Sequence, residues 1–362
     1  MAGLTTSANP FSGRTVISVD AMGGDRGPAA VVAGISLSAN KNPDIAFILH
    51  GPEAELSPLV ARKRNLEGRV EIRDVSGTVA MEDKPRDVIR RGKSTSMWSA
   101  IESVRAGEAD AVVSCGNTGA LMMLSVVRLR KILGVDRPAI AVLWPSRAPQ
   151  GFNIMLDAGA DISADEHDLL QYALMGASYA RNGMELQRPR VGLLNVGTEE
   201  HKGRNELKLA HDLIARNAEI ANYEFVGFVE GNDLPADKAD VIVTDGFTGN
   251  VALKTGEGTA GLIGSLLREA FKYSPLSRLA ALMAYTSLNR LNKRIDPRRV
   301  NGGVFLGLNG TVVKSHGSSD ATGVSSAVKL AFKLAQSGFS EKLAARVASA
   351  VSLPQDAENS SD

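Results

Sequence analysis

Ala109-Asp110-Ala111-Val112-Val113-Ser114-Cys115-Gly116-Asn117-Thr118-Gly119-Ala120-Leu121-Met122 is the stretch on which the fold turns. Its first five residues form a short apolar run of the kind that makes a buried parallel strand. After the glycines, apolar residues at helical spacing continue to Leu133. A glycine-rich turn therefore joins a strand to a helix. At such a junction the first N–H groups of the helix lack carbonyl partners, and the summed peptide dipoles lend them about half a positive charge. The corner suits an anion. Gly116 and Gly119 let the backbone approach an oxyanion, while Asn117 and Thr118 add neutral side-chain donors.

The pattern recurs. Ala239-Asp240-Val241-Ile242-Val243 leads into Thr244-Asp245-Gly246-Phe247-Thr248-Gly249-Asn250, and both loops fit Ser/Thr-x-Gly-x-Thr-Gly after an Ala-Asp-x-x-Val strand. Two such loops suggest two oxyanion- or amide-binding corners of one site, or a duplicated unit. Gly246, Thr248, Gly249 and Asn250 thus join Gly116, Thr118 and Gly119 as ligand candidates. Neither loop is a dinucleotide fingerprint, because Gly-x-Gly-x-x-Gly followed by an acidic residue about twenty positions on is missing, as is a Walker lysine.

The 362 residues, 44% hydrophobic and 22% charged, suit a globular α/β protein with ample core. A net charge of +1 gives no basic field for nucleic acid. The one cysteine, Cys115, excludes an internal disulfide or a cysteine-cluster metal site and suits a reducing cytoplasm. No apolar run reaches the ~18 residues of a membrane span. The polar stretches 1–13 and 353–362 read as disordered tails, leaving a single α/β domain over 14–352.

Along that domain, strands at Thr15–Asp20, Ile45–His50, Val70–Asp74, Pro138–Pro145, Gly151–Leu156, Val191–Asn195 and Thr311–Lys314 alternate with helical segments. The alternation predicts a Rossmann-like, open, mostly parallel sheet with helices on both faces. Residues 75–91 read as a long charged loop. Six strands, ending at Asp20, Val113, Leu156, Asn195, Thr244 and Lys314, run into loops rich in Gly, Asp, Asn, Thr and Ser. In an open parallel sheet such ends share the ligand-binding edge, which predicts convergence on one crevice.

Five motifs in order resemble those of the bacterial phosphate acyltransferase family, PlsX. They are Val19-Asp20-Ala21-Met22-Gly23-Gly24-Asp25, the loop 114–120, Asn195-Val196-Gly197-Thr198-Glu199-Glu200-His201-Lys202-Gly203, the loop 243–250 and His316-Gly317-Ser318-Ser319-Asp320. The resemblance spans about residues 15–335. It implies transfer of a fatty acyl group from acyl carrier protein to inorganic phosphate, giving an acyl phosphate for phospholipid synthesis. It further implies a homodimer with a fold akin to isocitrate and isopropylmalate dehydrogenases and phosphotransacetylase, and no cofactor. The place implied is the inner face of the cell membrane, beside the membrane acyl-phosphate:glycerol-3-phosphate acyltransferase as a partner. Asp20, Gly24 and Ser318 enter as phosphate or substrate ligands on this resemblance. The family has His where this chain has Arg26, a fixed cation rather than a proton carrier.

Phosphate attack on a thioester needs no enzyme nucleophile, since phosphate is anionic and a thiolate leaves readily. It needs a dianion held against a carbonyl and a stabilised oxyanion. Lys202, in the most polar loop of the chain, is the candidate to polarise the carbonyl, with Asn117 and His316 completing the catalytic set. No metal site is evident.

Residues 259–299 carry a different pattern. Leu262, Leu266 and Phe271 recur at helical spacing, and Leu279 and Met283 continue it beyond Pro275. Arg268, Lys272, Arg278, Arg290, Lys293, Arg294, Arg298 and Arg299 face only Glu269 and Asp296, a local net charge of +6. A projecting amphipathic helix pair with this charge fits anionic headgroups, an acidic carrier protein or a dimer interface. Two alternatives stand beside the acyl-carrier reading: a phosphotransacetylase-like acyl-CoA:phosphate transferase, and a non-enzymatic membrane-surface scaffold of lipid synthesis.

Overall fold

A computed structural model describes residues 11–199, 201–295 and 302–351. Glu200, Arg298, Arg299, most of the tail at 1–13 and all of that at 353–362 lie outside the described residues, as do the side chains of Lys293 and Arg294.

The chain forms two compact units. The first opens with β1 (Thr15–Asp20), α1 (Gly27–Lys41), β2 (Ile45–Gly51), α2 (Glu53–Ala61), β3 (Val70–Asp74), α3 (Pro85–Arg91), α4 (Ser96–Arg105), β4 (Ala111–Ser114) and α5 (Thr118–Leu129). Residues 133–300 build the second. They give β5 (Ala139–Pro145), β6 (Phe152–Leu156), α6 (Glu166–Met184), β7 (Arg190–Leu194), α7 (Asn205–Asn217), β8 (Glu224–Val229), β9 (Val241–Val243), α8 (Gly246–Lys272), α9 (Pro275–Met283) and α10 (Tyr285–Ile295). The chain then returns to the first unit with β10 (Gly303–Leu306), β11 (Thr311–Lys314) and α11 (Ala321–Gln336), after which comes α12 (Phe339–Val351).

In the first unit the strand order is β3-β2-β1-β4-β11-β10, parallel except for β10. All four residues of β4 are buried, which is why it reads as an unbroken apolar run. Helices α4 and α11 both pack on β1 and β4. The second unit runs β5-β6-β9-β7-β8, with β5 antiparallel to β6 and the rest parallel. The mostly parallel α/β sheet matches the sequence reading. The hairpin β5–β6 departs from it for a physical reason: residues 146–151 are too few for the crossover that parallel neighbours need.

Three further differences bear on the site. The charged loop is shorter than its composition suggests, because Pro85 occupies the first turn of α3. Strands β8 and β10 add to the alternation. The amphipathic segment is not a self-contained pair: its first half is the distal part of the 27-residue α8, which starts at the second Thr-Gly loop, and α9 and α10 follow as separate helices. Pro275 restarts the helix behind Ser274, whose hydroxyl caps α9.

Candidate active site

In the first unit, β1, β4 and β11 end in register, setting Asp20, Ser114 and Lys314 side by side. Asp20 is 2% exposed and organises the turns around it. One carboxylate oxygen accepts from Ser96 Oγ at 2.6 Å and the other from Ser114 Oγ at 2.7 Å, while the Met22 and Gly23 N–H groups also donate to it. Burial pushes its pKa above the ordinary carboxylate value, and those donors pull the other way. The packing is tight: a Cβ on Gly23 would lie 2.6 Å from the Gly116 nitrogen. Gly24, at φ +96°, sits against Cys115 and the Gly317 carbonyl, and that carbonyl accepts from Asp25 N–H at 2.8 Å. The loops after β1, β4 and β11 are thus stitched together.

Asn117 is the N-cap of α5, its Oδ1 accepting from Ala120 N–H at 3.0 Å. Its amide donates to the Met81 carbonyl at 2.8 Å and the Asp83 carbonyl at 3.0 Å. Both amide hydrogens are engaged, so in this structure Asn117 shapes the corner rather than offering a donor to substrate. His316 and Ser318 are exposed, and the Ser318 hydroxyl lies 2.9 Å from His316 Nδ1. Lys314 is 9% exposed and its ammonium donates to the Cys115 carbonyl at 3.3 Å and to the Ser315 carbonyl. Burial raises the Cys115 thiol pKa, with Lys314 opposing the shift, so the buried cysteine sits as a packed thiol with its thiolate disfavoured.

In the second unit Asp157, fully buried at the end of β6, has the equivalent task. Its two oxygens accept from the N–H groups of Ile140, Gly159, Ala160 and Asp161. Burial again raises the pKa against these donors. The Asp161 carbonyl then accepts from Gly246 N–H at 2.7 Å, and Asn250 lies over the Gly159 turn, where φ is +126° and a Cβ would come within 2.9 Å of its amide.

The twin loops are not structural equivalents. Helix α8 begins two positions earlier in its motif than α5, so its cap is a carboxylate: Asp245 Oδ1 accepts from Thr248 N–H at 2.8 Å and Oδ2 from Thr248 Oγ1 at 2.9 Å. Arg204 pairs with the same carboxylate, tying the loop before α7 to the start of α8. The Gly246 and Thr248 N–H groups expected to grip an anion are therefore spent on the protein's own acceptors. Lys202, in an exposed loop, is paired with Glu199 at 2.8 Å; that hydrogen bond raises the lysine pKa and lowers the glutamate's. Lys202 is thus a cation at neutral pH and not a base.

Beyond Gly249, α8 buries nothing, nor does α9. Leu262, Leu266, Leu279 and Met283 are 60%, 55%, 54% and 81% exposed. Arg268, Phe271 and Lys272 line a groove of about 390 Å³ with Leu267, Leu288 and Leu291, and Arg290 is exposed nearby on α10. No described helix is long and apolar enough to cross a membrane.

Of the candidates, Asp20, Gly24, Gly116, Asn117, Thr118, Gly119, His316 and Ser318 belong to the first unit, and Lys202, Gly246, Thr248, Gly249 and Asn250 to the second. Sequence reasoning passed over Ser96, Ser114, Lys314, Asp157 and Arg204. Ser114 and Lys314 become visible only through strand register, and Ser96 only through the packing of α4 on β1. Asp157 carried a local signal, an aspartate at a strand end before a glycine turn.

The fatty acid synthesis protein family model matches residues 15–342. The phosphate acyltransferase of Ruegeria sp. (strain TM1040) is 74% identical over 362 residues, covering 100% of this chain and 96% of the relative. That of Paracoccus denitrificans is 73% identical, covering 93% and 91%. Among solved structures, a phosphotransacetylase from Streptococcus pyogenes aligns with TM-score 0.59 at 14% identity, covering 91% of this chain and 96% of its own. A putative 4-hydroxythreonine-4-phosphate dehydrogenase from Salmonella typhimurium aligns with TM-score 0.52 at 13% identity, covering 89% and 99%. At these identities the structural matches establish a shared fold.

Proposed function

The chain belongs to the family of fatty acid synthesis proteins that includes the phosphate acyltransferases, an acyltransferase family, and on that premise we propose that it moves a fatty acyl group from acyl carrier protein to inorganic phosphate. An oxygen of hydrogen phosphate attacks the thioester carbonyl and the carbon–sulfur bond breaks with its electron pair on sulfur. The phosphate proton ends on the thiol. The products are an acyl phosphate, destined for phospholipid synthesis, and free carrier thiol.

The observation that carries the choice of donor is the exposed apolar and basic face of α8–α10. A small acyl-CoA substrate has no use for a surface of Leu262, Leu266, Leu279 and Met283 flanked by Arg268, Lys272 and Arg290. An acidic carrier, and a membrane that receives the product, both do. The same face gives peripheral attachment and a surface for a second copy of the chain.

For the phosphate we favour the corner at the start of α5. Its cap is the neutral Asn117, whereas at α8 the Gly246 and Thr248 N–H groups are already spent on the Asp161 carbonyl and the Asp245 cap. Asp20, Gly24, Gly116, Thr118 and Gly119 shape the α5 corner, and His316 with Ser318 serves the proton that passes to sulfur. Lys202 is assigned to the thioester carbonyl, where removal of a positioned donor costs on the order of a hundredfold or more in rate.

The test is acyl-phosphate formation by the purified full chain, supplied with phosphate and either acyl-loaded carrier protein or acyl-CoA. Carrier-borne acyl groups are the expected donor. Lys202→Ala should lose activity while keeping its melting temperature, because its ion pair is exposed. Preference for acyl-CoA would sink the carrier assignment, and full activity of Lys202→Ala would sink that of the lysine.

A further inference from the structure

Lys314 ends β11 directly beside Ser114, whose other neighbour in register is Asp20. The lysine is 9% exposed, rare for this residue type, so its stem is buried rather than snorkelling to water. Its ammonium donates to two main-chain carbonyls from different loops, those of Cys115 before α5 and Ser315 before α11. A trans peptide sets its N–H opposite its C=O. With its carbonyl held by the ammonium, the Cys115–Gly116 peptide is held at its other edge too, where the Gly116 N–H donates to Ser114 Oγ at 3.0 Å. The two loops are joined again by Ser315 N–H donating to the Ser114 carbonyl at 2.9 Å.

We infer that Lys314 is a positioning residue of the phosphate corner: its buried ammonium holds the Cys115–Gly116 and Ser315–His316 peptides in one orientation and keeps a positive charge beside the loop that leads into α5. The inference rests on the proposed transfer to phosphate. Charge in a low-dielectric interior acts over several ångströms, so the lysine need not touch the ligand to stabilise it. It adds the cation that the neutral Asn117 cap does not supply.

The experiment separates hydrogen bonding from charge. Lys314→Gln keeps an N–H donor for the carbonyls without the charge, and Lys314→Met removes both. With the full chain, inorganic phosphate and an acyl-loaded carrier, Lys314→Gln is expected to raise the KM for phosphate by about tenfold or more while the KM for the acyl donor stays within about twofold. Lys314→Met is expected to add a fall in kcat as the loops loosen. An unchanged phosphate KM in Lys314→Gln, or equal rises in both KM values, overturns the inference while the acyltransferase reading stands. Failure of both variants to fold would assign the lysine to stability alone and overturn it too. A wild-type chain that forms no acyl phosphate removes the functional reading itself.

Discussion

Replacing Asn117 with aspartate changes one atom type at the start of α5 and tests where the phosphate sits. Aspartate caps a helix about as well as asparagine, so the bond to Ala120 N–H survives. The two amide bonds to the Met81 and Asp83 carbonyls are lost, at about 1 kcal/mol each, and the carboxylate oxygen that replaces the amide must turn away from both carbonyls. A loss of about 2 kcal/mol leaves a domain of ordinary stability folded. The effect on binding is larger. A new negative charge about 5 Å from a phosphate charge, at an effective dielectric of about 20, opposes it by about 3 kcal/mol. Each 1.4 kcal/mol is about tenfold, so kcat/KM for phosphate should fall by about a hundredfold or more. Asn117→Ser is the control, since serine keeps the cap, loses both tethers and adds no charge. The assay is initial-rate formation of acyl phosphate at varied phosphate, with urea unfolding of each variant alongside. If Asn117→Asp and Asn117→Ser weaken phosphate use equally, the corner at α5 is not where the anion binds.

Other substitutions probe the frame. Gly249→Ala would set a Cβ 1.9 Å from the Asp157 carbonyl oxygen, a backbone collision that should cost more than ~3 kcal/mol, whereas Gly119→Ala meets only the Pro85 ring at 2.9 Å and should cost about 1; thermal melts of the two variants check the ranking. Asp20 has a raised folded pKa, so its contribution to stability is full below the ordinary carboxylate pKa and is lost as pH rises through the folded value. The stability difference between wild type and Asp20→Asn should therefore shrink from about pH 4 toward neutrality, and a difference constant in urea titrations across that range would contradict the buried environment assigned to it. Leu266→Glu and Met283→Glu change exposed positions, so each should melt within a few degrees of wild type yet sediment poorly with anionic vesicles; undiminished sedimentation would count against a lipid-facing role.

What the sequence alone determined about this protein is local. Strand, glycine turn and helix at 109–129 and 239–272 are legible because turn chemistry and apolar periodicity act over a few residues, and the Ser274-Pro275 restart obeys the same short-range rules. The tertiary structure decided everything that depends on register. Asp20, Ser114 and Lys314 are far apart in the chain and become neighbours only when β1, β4 and β11 pair in parallel. Two loops with one sequence pattern diverge at positions the pattern leaves open, where Asp245 stands against Cys115 and Asn117 against Phe247 as caps, and long-range contacts reinforce each start. Asp161 and Arg204 draw α8 back to an aspartate cap, while the Met81 and Asp83 carbonyls hold α5 to a neutral asparagine. Which N–H groups those contacts leave for a ligand, a matter of the folded chain, is the ground on which we propose the α5 corner for phosphate.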